Sequence, residues 1–340
     1  MNTLRYNKQT GVQPGNSRLR SLQPKSVRIK LIASGICATD IKIIDNQYYN
    51  KKVLKNDVIL GHEGCGIVEH VSIGSSDLKV GDHVVFETVR PCGTCQFCQS
   101  SLTNFCENWK HIGINQDGTY ADYIDIEQEQ VHKIPGDIPW RASVLAEPLA
   151  VALHSLSDLR QVACSNMAIV GPGIIGILHL IVFKQHYGVD IDVFGLDRDA
   201  ERLSMAIDKG AHAVSTKEVV HERSSNKYDL VIDTSGTALG FKKALSLTSV
   251  GGTCRTLSLS TEEALSASDL VKSGVTMNSG RGITKVDMES AVIFLKHNHA
   301  LLSGLCTHCY PLGDYLTVFN NVRSGVGIKS VFQHQMPHSN

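Results

Sequence analysis

The sequence predicts an α/β protein of two domains, a β-rich one followed by a parallel α/β one. Three observations lead to this prediction. The chain has 340 residues, 42% of them hydrophobic and 19% charged, which is enough for more than one hydrophobic core. Its first part consists of short β-branched runs between glycine, aspartate and proline. From about residue 145 onward, apolar strands alternate with segments of helix length.

The β-rich part is predicted to contain short strands joined by turns, because turn-forming residues separate its β-branched runs. The predicted strands are 27–32, 58–60, 67–71, 83–86 and 120–126. The C-terminal segment adds a predicted helix over 287–297, a turn region over 308–311 and a closing strand over 328–332.

In the second part, the alternation of strands and helices predicts βαβ units on a doubly wound parallel sheet. The predicted strands are 167–170, 190–196, 230–232 and 253–257, and the predicted helices are 173–187, 201–209 and 240–248. The predicted domains are therefore 1–150, completed by 286–340, and 151–285.

Charge and hydropathy exclude several classes of function. The chain has 33 basic and 33 acidic residues, so its formal net charge is zero and no long-range field favours nucleic acid or an anionic membrane. Its apolar stretches fall short of the roughly 20 residues that cross a bilayer, and the polar start, Met1 to Thr10, shows no signal peptide. We expect a cytoplasmic protein with a small-molecule partner.

Four of the ten cysteines form a C-x2-C-x2-C-x7-C cluster, namely Cys92, Cys95, Cys98 and Cys106. Four thiolates this close in sequence can surround one zinc ion and leave no position open for water, which is the pattern of a structural site. Two alternatives remain open at this point. The cysteines could form disulfides or be unrelated thiols, or they could hold an iron–sulfur cluster.

A glycine-rich turn follows the first strand of the parallel part. Gly171, Gly173 and Gly176 form G-x-G-x-x-G, with Ile175 in the same turn, and this pattern binds a dinucleotide pyrophosphate at a helix N-terminus. Asp197 ends the next predicted strand, where a carboxylate binds the adenosine ribose and repels a 2′-phosphate. The prediction is an NAD site, with NADP less favoured. The alternative for Asp197 is a helix N-terminal charge.

Two further segments and one glutamate supply metal-ligand side chains. The segments read G-I-C-A-T-D over 35–40 and G-H-E-G-C-G over 61–66, and Glu147 precedes a proline. Each has an ordinary structural explanation when taken alone. Together with the cysteine cluster and the glycine-rich turn, in this order, they resemble the zinc-dependent medium-chain alcohol dehydrogenases, and especially the polyol, threonine and aminocyclitol dehydrogenases. The resemblance runs from about residue 27 to 332.

The resemblance implies a GroES-like catalytic domain and a Rossmann domain, with one catalytic and one structural zinc ion. It makes Cys37 and His62 zinc ligands, with Glu63 or Glu147 as the third ligand. It also places Asp40 as the hydrogen-bond partner that fixes the tautomer of His62.

Further catalytic and cofactor contacts follow from the same resemblance. Thr39 would lie beside the metal and take the hydroxyl proton. Lys42 stands where many relatives have a proton-relaying histidine, so it either serves in the relay or is an exposed lysine. Arg202, Ser258 and Arg281 would contact the cofactor, and a solvated side chain is the alternative for each arginine.

The implied reaction is hydride transfer between a secondary alcohol, such as a polyol, aminocyclitol or amino alcohol, and NAD. Two rivals are a catalytically inactive, zinc-stabilised nucleotide-sensing protein and a zinc-free reductase of the same superfamily, which the cysteine cluster disfavours. A homodimer or homotetramer is expected. Cys65, Cys164 and Cys254 are expected to be small buried residues.

Overall fold

The computed structural model of the chain describes residues 1–48, 50–74, 77–215, 228–257, 259–260 and 266–334. The side chains of Asp197 and Ala213, and the whole of Ser258, lie outside this description. The chain divides into two compact units, one of residues 1–150 and 283–340 and the other of residues 151–282. The boundaries predicted from the sequence were 150/151 and 285/286.

The described part of the chain contains strands of two to ten residues. In chain order they are β1 (Asn2–Asn7), β2 (Gly11–Asn16), β3 (Ser26–Gly35), β4 (Val58–Ile59), β5 (Glu63–Val71), β6 (His83–Phe86), β7 (Val89–Arg90), β8 (Lys110–His111), β9 (Tyr123–Glu127), β10 (Val131–Lys133), β11 (Met167–Val170), β12 (Ile191–Phe194), β13 (Ala213–Ser215), β14 (Tyr228–Asp233), β15 (Thr248–Thr256), β16 (Thr276–Ser279), β17 (Cys306–Tyr310) and β18 (Lys329–Gln333).

Helices connect these strands, and short 3-10 turns lie between some of them. In chain order the helices are α1 (Ala38–Ile44), α2 (Gln96–Gln99), α3 (Trp140–Ser143), α4 (Ala146–Leu159), α5 (Ile174–Tyr187), α6 (Ala200–Asp208), α7 (Ala238–Leu247), α8 (Ala267–Ser273), α9 (Lys285–Asn298) and α10 (Tyr315–Arg323).

The first unit is built on a seven-stranded sheet with the order β10-β6-β5-β3-β18-β17, and β9 also pairs with β3. The long strand β3 is its centre, since β5, β9 and β18 all pair with it in antiparallel register. Almost every residue of β3 is buried, which explains its apolar sequence. A smaller sheet, β2-β1-β4, and the two-stranded β7-β8 pair complete the described strands of this unit.

Two parts of this unit differ from the prediction. The N-terminal hairpin of β1 and β2 was not predicted from the sequence. The predicted turn over 308–311 is wrong, because its first three residues belong to β17, which pairs in parallel with β18 and places Cys309 opposite Val331. Pairing with a neighbouring strand satisfies the backbone of this polar segment, and local sequence does not reveal that pairing.

The second unit is a six-stranded parallel sheet with the order β13-β12-β11-β14-β15-β16. The order reverses direction at β11, so β12 and β14 flank it on either side. This is the doubly wound arrangement in which a ligand binds at the carboxyl ends of the strands beside the reversal. Together with the β-rich first unit, it confirms the predicted fold class.

Apolar clusters hold each unit together. In the first unit, one cluster is centred on Tyr120, Phe319 and Phe332, and another lies between β3, β5 and β6. In the second unit, Ala168, Val231 and Cys254 belong to a cluster between the sheet and α7. Burial of this kind is the main stabilising contribution to each unit.

The three cysteines expected to be buried do not all behave alike. Cys65 and Cys254 are buried, but Cys164 is only half-buried, so the prediction is wrong for Cys164. The loop that carries it leaves its thiol near the surface, where it donates a hydrogen bond to the Asn166 carbonyl.

Among the described residues, no helix combines the length and the apolar character needed to cross a bilayer.

Candidate active site

Helix α1 fixes the first predicted metal ligand. Cys37 is its N-cap residue, and the backbone N–H of Thr39 donates to the Cys37 thiol over 3.5 Å. The Asp40 carboxylate accepts from the Cys37 backbone N–H over 3.0 Å, so the two side chains form a capping box. The G-I-C-A-T-D segment is therefore the end of a strand followed by a capped helix start, which holds the thiol in a defined place.

Sheet register brings the second motif to the same point. Gly35 at the end of β3 lies opposite Glu63 at the start of β5, and His62 precedes that strand. The ligand atoms of Cys37, His62 and Glu63 all lie within 4.8 Å of one another. A thiolate, an imidazole and a carboxylate at such distances suit zinc and leave a fourth position for water or substrate. The donor set therefore fits the metal that the resemblance implies.

Asp40 lies directly behind this set and is fully buried. Its Oδ1 lies 3.5 Å from His62 Nδ1 and accepts from the Gly61 backbone N–H over 3.3 Å. Its Oδ2 accepts from the Tyr120 hydroxyl over 2.7 Å. This position leaves the Nε2 side of His62 for a metal, as expected of a carboxylate that orients a ligating histidine.

The electrostatics of this group follow from burial and close partners. Burial raises the pKa of Asp40, but His62 and the hydrogen bonds from Cys37 and Tyr120 outweigh it and lower that pKa overall. Burial likewise lowers the pKa of His62, but Asp40 and Cys37 outweigh it and raise that pKa well above the ordinary value. The site therefore keeps Asp40 ionised.

The remaining catalytic candidates lie near this set without joining it. Glu147 is in the first turn of α4. Among the described residues, the converging ligand atoms are those of Cys37, His62 and Glu63, and Glu147 is not part of this group. Burial raises the pKa of Glu147 to about 7, and His62 and Glu63 are close enough to influence it. Thr39 and Lys42 are both half-buried on α1, and the role of Lys42 stays a prediction.

The four clustered cysteines converge as predicted for a metal site. Their sulfur atoms all lie within 4.8 Å of one another. Three of the separations are 3.5 Å (Cys95–Cys98), 3.9 Å (Cys95–Cys106) and 4.0 Å (Cys92–Cys98). Sulfurs bound tetrahedrally to zinc at roughly 2.3 Å would be about 3.8 Å apart. All ten cysteines are free thiols, so the structure does not support the disulfide alternative.

Hydrogen-bond donors in this lobe favour the thiolate form of Cys92. The Cys92 thiol accepts from the Cys95 backbone N–H over 3.4 Å and from the Thr94 hydroxyl over 3.6 Å. Hydrogen bonds, foremost from the Thr94 backbone, lower the pKa of Cys92 to about 5. Strands β7 and β8 pair on either side of the lobe and bring its two ends together. The arrangement matches a closed four-cysteine zinc site.

In the second unit, the glycine-rich turn has the geometry that its sequence predicts. Gly171 has φ +102°, and a Cβ there would lie 2.8 Å from the backbone of Ser235. Gly173 is the N-cap of α5 and has nothing within 4 Å of its Cβ position, so a ligand can approach the backbone. A Cβ on Gly176 would lie 2.1 Å from the Gly171 carbonyl oxygen. Ile175 is half-buried in the first turn of α5.

The other predicted cofactor residues are placed less completely. Asp197 begins a 3-10 turn just after β12, but its side chain is outside the described part of the structure. Arg202 on α6 lies 3.6 Å from Asp199. Arg281 is exposed in the loop after β16, and Ser258 is outside the described residues. Of the predicted cofactor residues, the described part of the structure therefore brings together the three glycines.

Sequence reasoning did not single out several residues that the structure places close to the predicted ones. Lys329 on β18 is buried and contacts Glu63. Asp233 at the end of β14 accepts from Ser235 and Thr256, which ties the carboxyl ends of two strands together. His111 lies edge-on to His62 with the ring centroids 5.5 Å apart. None of these residues belongs to a short motif. The only local signals are the Val-Ile pair before Asp233 and the β-rich segments that contain the other two.

Comparison with known proteins agrees with this geometry. Residues 23–136 match the family model described as alcohol dehydrogenase GroES-like domain, and residues 175–296 match the one described as zinc-binding dehydrogenase. An L-threonine 3-dehydrogenase of Bacillus velezensis is 30% identical, with 90% of each chain covered. A sorbitol dehydrogenase of Halalkalibacterium halodurans is 29% identical, with 89% of this chain and 90% of the relative covered.

A solved structure shows the same fold. A zinc-binding dehydrogenase from Sinorhizobium meliloti, described with NADP bound, superposes with a TM-score of 0.89 at 24% identity, with 98% of this chain and 99% of that chain covered. The chain belongs to the zinc-dependent medium-chain alcohol dehydrogenase family. It is a zinc-binding dehydrogenase that transfers a hydride between an alcohol and a nicotinamide cofactor. The predicted family, activity and cofactor classes are confirmed, and nothing supports the inactive alternative.

Proposed function

We propose that this enzyme oxidises one secondary hydroxyl of a polyol, aminocyclitol or amino alcohol and uses NAD in preference to NADP. The substrate class is supported by the relatives, which are named for sorbitol, D-arabitol phosphate, D-altritol and L-threonine. Each of these compounds carries a secondary hydroxyl beside another polar group. The chain's neutral net charge also suits an uncharged or zwitterionic substrate.

The catalytic metal is proposed to be held by Cys37, His62 and Glu63, with Glu147 as the alternative third ligand. The observation that carries the proposal is the convergence of the first three ligand atoms within 4.8 Å. Zinc bound there supplies Lewis acidity that lowers the pKa of an alcohol hydroxyl. The second zinc is proposed to bind Cys92, Cys95, Cys98 and Cys106 and to have a structural role.

The chain's own residues are proposed to orient the ligands and to move the proton. Asp40 holds His62 through Nδ1, so that the Nε2 side faces the metal position. Thr39 lies on α1, two residues after Cys37, and its hydroxyl takes the substrate proton. Lys42 follows one turn later on α1 and is proposed to pass that proton on.

The cofactor is proposed to bind with its pyrophosphate at the N-terminus of α5. The open space beside Gly173 and the positive end of the helix dipole support this placement. Ile175 lies in the same turn, while Asp197 and Arg202 are proposed to contact the adenosine ribose. Ser258 and Arg281 are proposed to lie toward the nicotinamide.

A screen of cofactor reduction tests the function directly. Purified enzyme is offered sugar alcohols, cyclitols and amino alcohols with NAD or NADP, and formation of NADH or NADPH is followed. We expect turnover of at least one of these classes, with NAD preferred. Absence of turnover across the whole screen by zinc-loaded enzyme would contradict the proposed substrate class.

The variant Asp197→Ala tests the cofactor preference. Loss of the carboxylate removes both a ribose acceptor and the repulsion of a 2′-phosphate, so the NAD dissociation constant should rise more than that of NADP. Equal changes for both cofactors would overturn the role of Asp197.

Assembly and location are proposed on separate grounds. Among the described strands β16 pairs only with β15, and such an edge can accept a strand from a second copy, which supports a homodimer or homotetramer. Light scattering measures the mass in solution, and a monomer would contradict this. The ten free thiols are in keeping with a reducing compartment such as the cytoplasm.

A further inference from the structure

A buried lysine lies against the proposed zinc site. The side chain of Lys329 on β18 is 1% exposed, and its ammonium contacts the Glu63 carboxylate. The same ammonium donates to the Ile36 backbone carbonyl over 2.9 Å. Burying an ammonium is costly unless it is paired and hydrogen-bonded, so these two partners fix its position.

The ion pair occupies space that a side chain at position 35 would fill, and this position is a glycine. A Cβ on Gly35 would lie 2.1 Å from Glu63 Oε2 and 2.9 Å from Lys329 Cε. Both strands that carry the pair, β5 and β18, are bonded to β3 at or beside Gly35. The contact between Lys329 and Glu63 is therefore built into the centre of the sheet.

The Glu63 carboxylate has two competing demands. One of its oxygens is within 4.8 Å of the Cys37 thiol and the His62 ring nitrogen, where it would bind zinc. Its Oε2 is in contact with the Lys329 ammonium. A carboxylate shared between an ammonium and a metal ion donates less charge to the metal than one that serves the metal alone.

The charges around the site also give Lys329 a role. The Cys37 thiolate and the Glu63 and Asp40 carboxylates carry three negative charges, one more than zinc would neutralise. Glu147, which lies close enough to influence the pKa of Lys329, adds to this excess when it is ionised. The Lys329 ammonium offsets one of these negative charges, and a less negative site keeps the metal more electrophilic toward an alcohol oxygen.

We propose that Lys329 is a positioning residue that competes with zinc for the Glu63 carboxylate and so keeps Glu63 an exchangeable ligand. The proposal rests on the zinc site proposed above. A loosely held Glu63 can yield its coordination position to the substrate, which a catalytic zinc must admit. Lys329 thereby sets how tightly the catalytic metal is held.

The test is zinc affinity, measured by competition with a chelator and without turnover. Lys329→Met keeps the length of the side chain and removes the competing charge. We expect the weaker of the two zinc ions to bind about ten- to a hundredfold more tightly in this variant. Lys329→Arg keeps the charge and should remain within about threefold of the wild type. Folding of each variant is checked by circular dichroism.

The sign of the change separates this role from a structural one. A damaged site would bind zinc more weakly, so weaker or unchanged binding by folded Lys329→Met would overturn the inference. A wild-type enzyme that binds only the zinc of the cysteine lobe would instead overturn the proposed catalytic site.

A double-mutant cycle with Glu63→Gln tests the competition itself. In the Glu63→Gln background the carboxylate is gone, so Lys329→Met should tighten zinc binding much less than it does in the wild type. An equal increase in both backgrounds would show that Lys329 acts only through its charge at a distance, and would overturn the competition for Glu63.

Discussion

One carboxylate, that of Asp40, serves three parts of the candidate site. It caps helix α1 through the Cys37 backbone, accepts from Tyr120 and lies behind His62. Because one buried side chain holds all three partners, only one side chain loses its conformational entropy. Its replacement should therefore affect the metal site more than an ordinary surface substitution does.

We expect Asp40→Asn to weaken catalytic zinc binding by about ten- to a hundredfold, because a neutral amide orients and polarises His62 less well than a carboxylate does. Zinc affinity is measured by chelator competition. Asp45→Asn, at the other end of α1 in an exposed ion pair with Arg323, is the matched control and should change it little. Equal affinities for Asp40→Asn and the wild type would contradict the role of Asp40.

At the residue scale, the sequence revealed candidate ligands that belong to short motifs. Cys37 and Asp40 are visible together because both lie in the G-I-C-A-T-D segment that carries the family resemblance. Lys329 was invisible, because its partner Glu63 is nearly the whole chain away and a single lysine in a strand has no distinguishing neighbours. Burial and ion pairing of that kind depend on tertiary packing.

At the scale of elements, the turn before α5 depends on the absence of side chains. A Cβ on Gly176 would lie 2.1 Å from the Gly171 carbonyl oxygen and 2.9 Å from the Thr234 hydroxyl oxygen. The helix and the strand can pack this closely only with glycine at this position.

Gly176→Ala should displace the start of α5 and weaken cofactor binding at least tenfold, with a loss of about 1–3 kcal/mol in the free energy of unfolding of this unit. Cofactor binding is followed by titration with NADH, and stability by denaturant unfolding. Gly313→Ala is the control, since nothing lies within 4 Å of its Cβ position. Unchanged NADH binding by Gly176→Ala would show that the turn does not carry the cofactor.

The cysteine lobe is the other element whose chemistry can be tested alone. Cys106→Ser should lower the zinc content from about two ions to about one per chain, because serine is a poor zinc ligand, and it should lower the melting temperature. Metal analysis and thermal unfolding measure the two effects. Cys164→Ser replaces a half-buried thiol outside both clusters and should retain both ions. A full zinc content in Cys106→Ser would refute the lobe as a metal site.

At the scale of the whole molecule, two buried histidines link stability to pH. Burial lowers the pKa of His179 in the second unit and of His334 in the first unit to about 4 in each case. The unfolded chain binds these protons at the ordinary value of 6.5, so between pH 6.5 and 4 it holds more protons than the folded chain. The stability that comes from keeping these two histidines neutral is therefore fully present above pH 6.5 and is lost as the pH falls toward 4.

The expected loss in the free energy of unfolding is about 3 kcal/mol per histidine at most. In this pH range, the slope of the unfolding free energy against pH reports how many more protons the unfolded chain binds than the folded chain. His179→Leu should lower that number by up to one. His186→Leu changes an exposed histidine on the same helix and should leave the slope as it is. Denaturant unfolding at a series of pH values measures both, and equal slopes for His179→Leu and the wild type would rule out His179 as the source.

Secondary structure was predictable where the pattern is local and strongly apolar. Strand β6 was predicted with its observed bounds, and helix α5 to within one residue. The hairpin of β1 and β2 and the strand β17 were not predicted, since both contain polar residues and depend on the strands beside them. Edge pairing of this kind leaves little trace in the sequence.

Local sequence was enough to identify the family, the two-part α/β architecture, the four-cysteine lobe and the glycine-rich turn, because each rests on residues close together in the chain. The convergence of Glu63, rather than Glu147, with Cys37 and His62 is visible only in the folded chain. The same holds for the contact between Lys329 and the Glu63 carboxylate. Both depend on the register of β5 and β18 against β3, and strand register brings distant residues together in a way that local sequence does not encode.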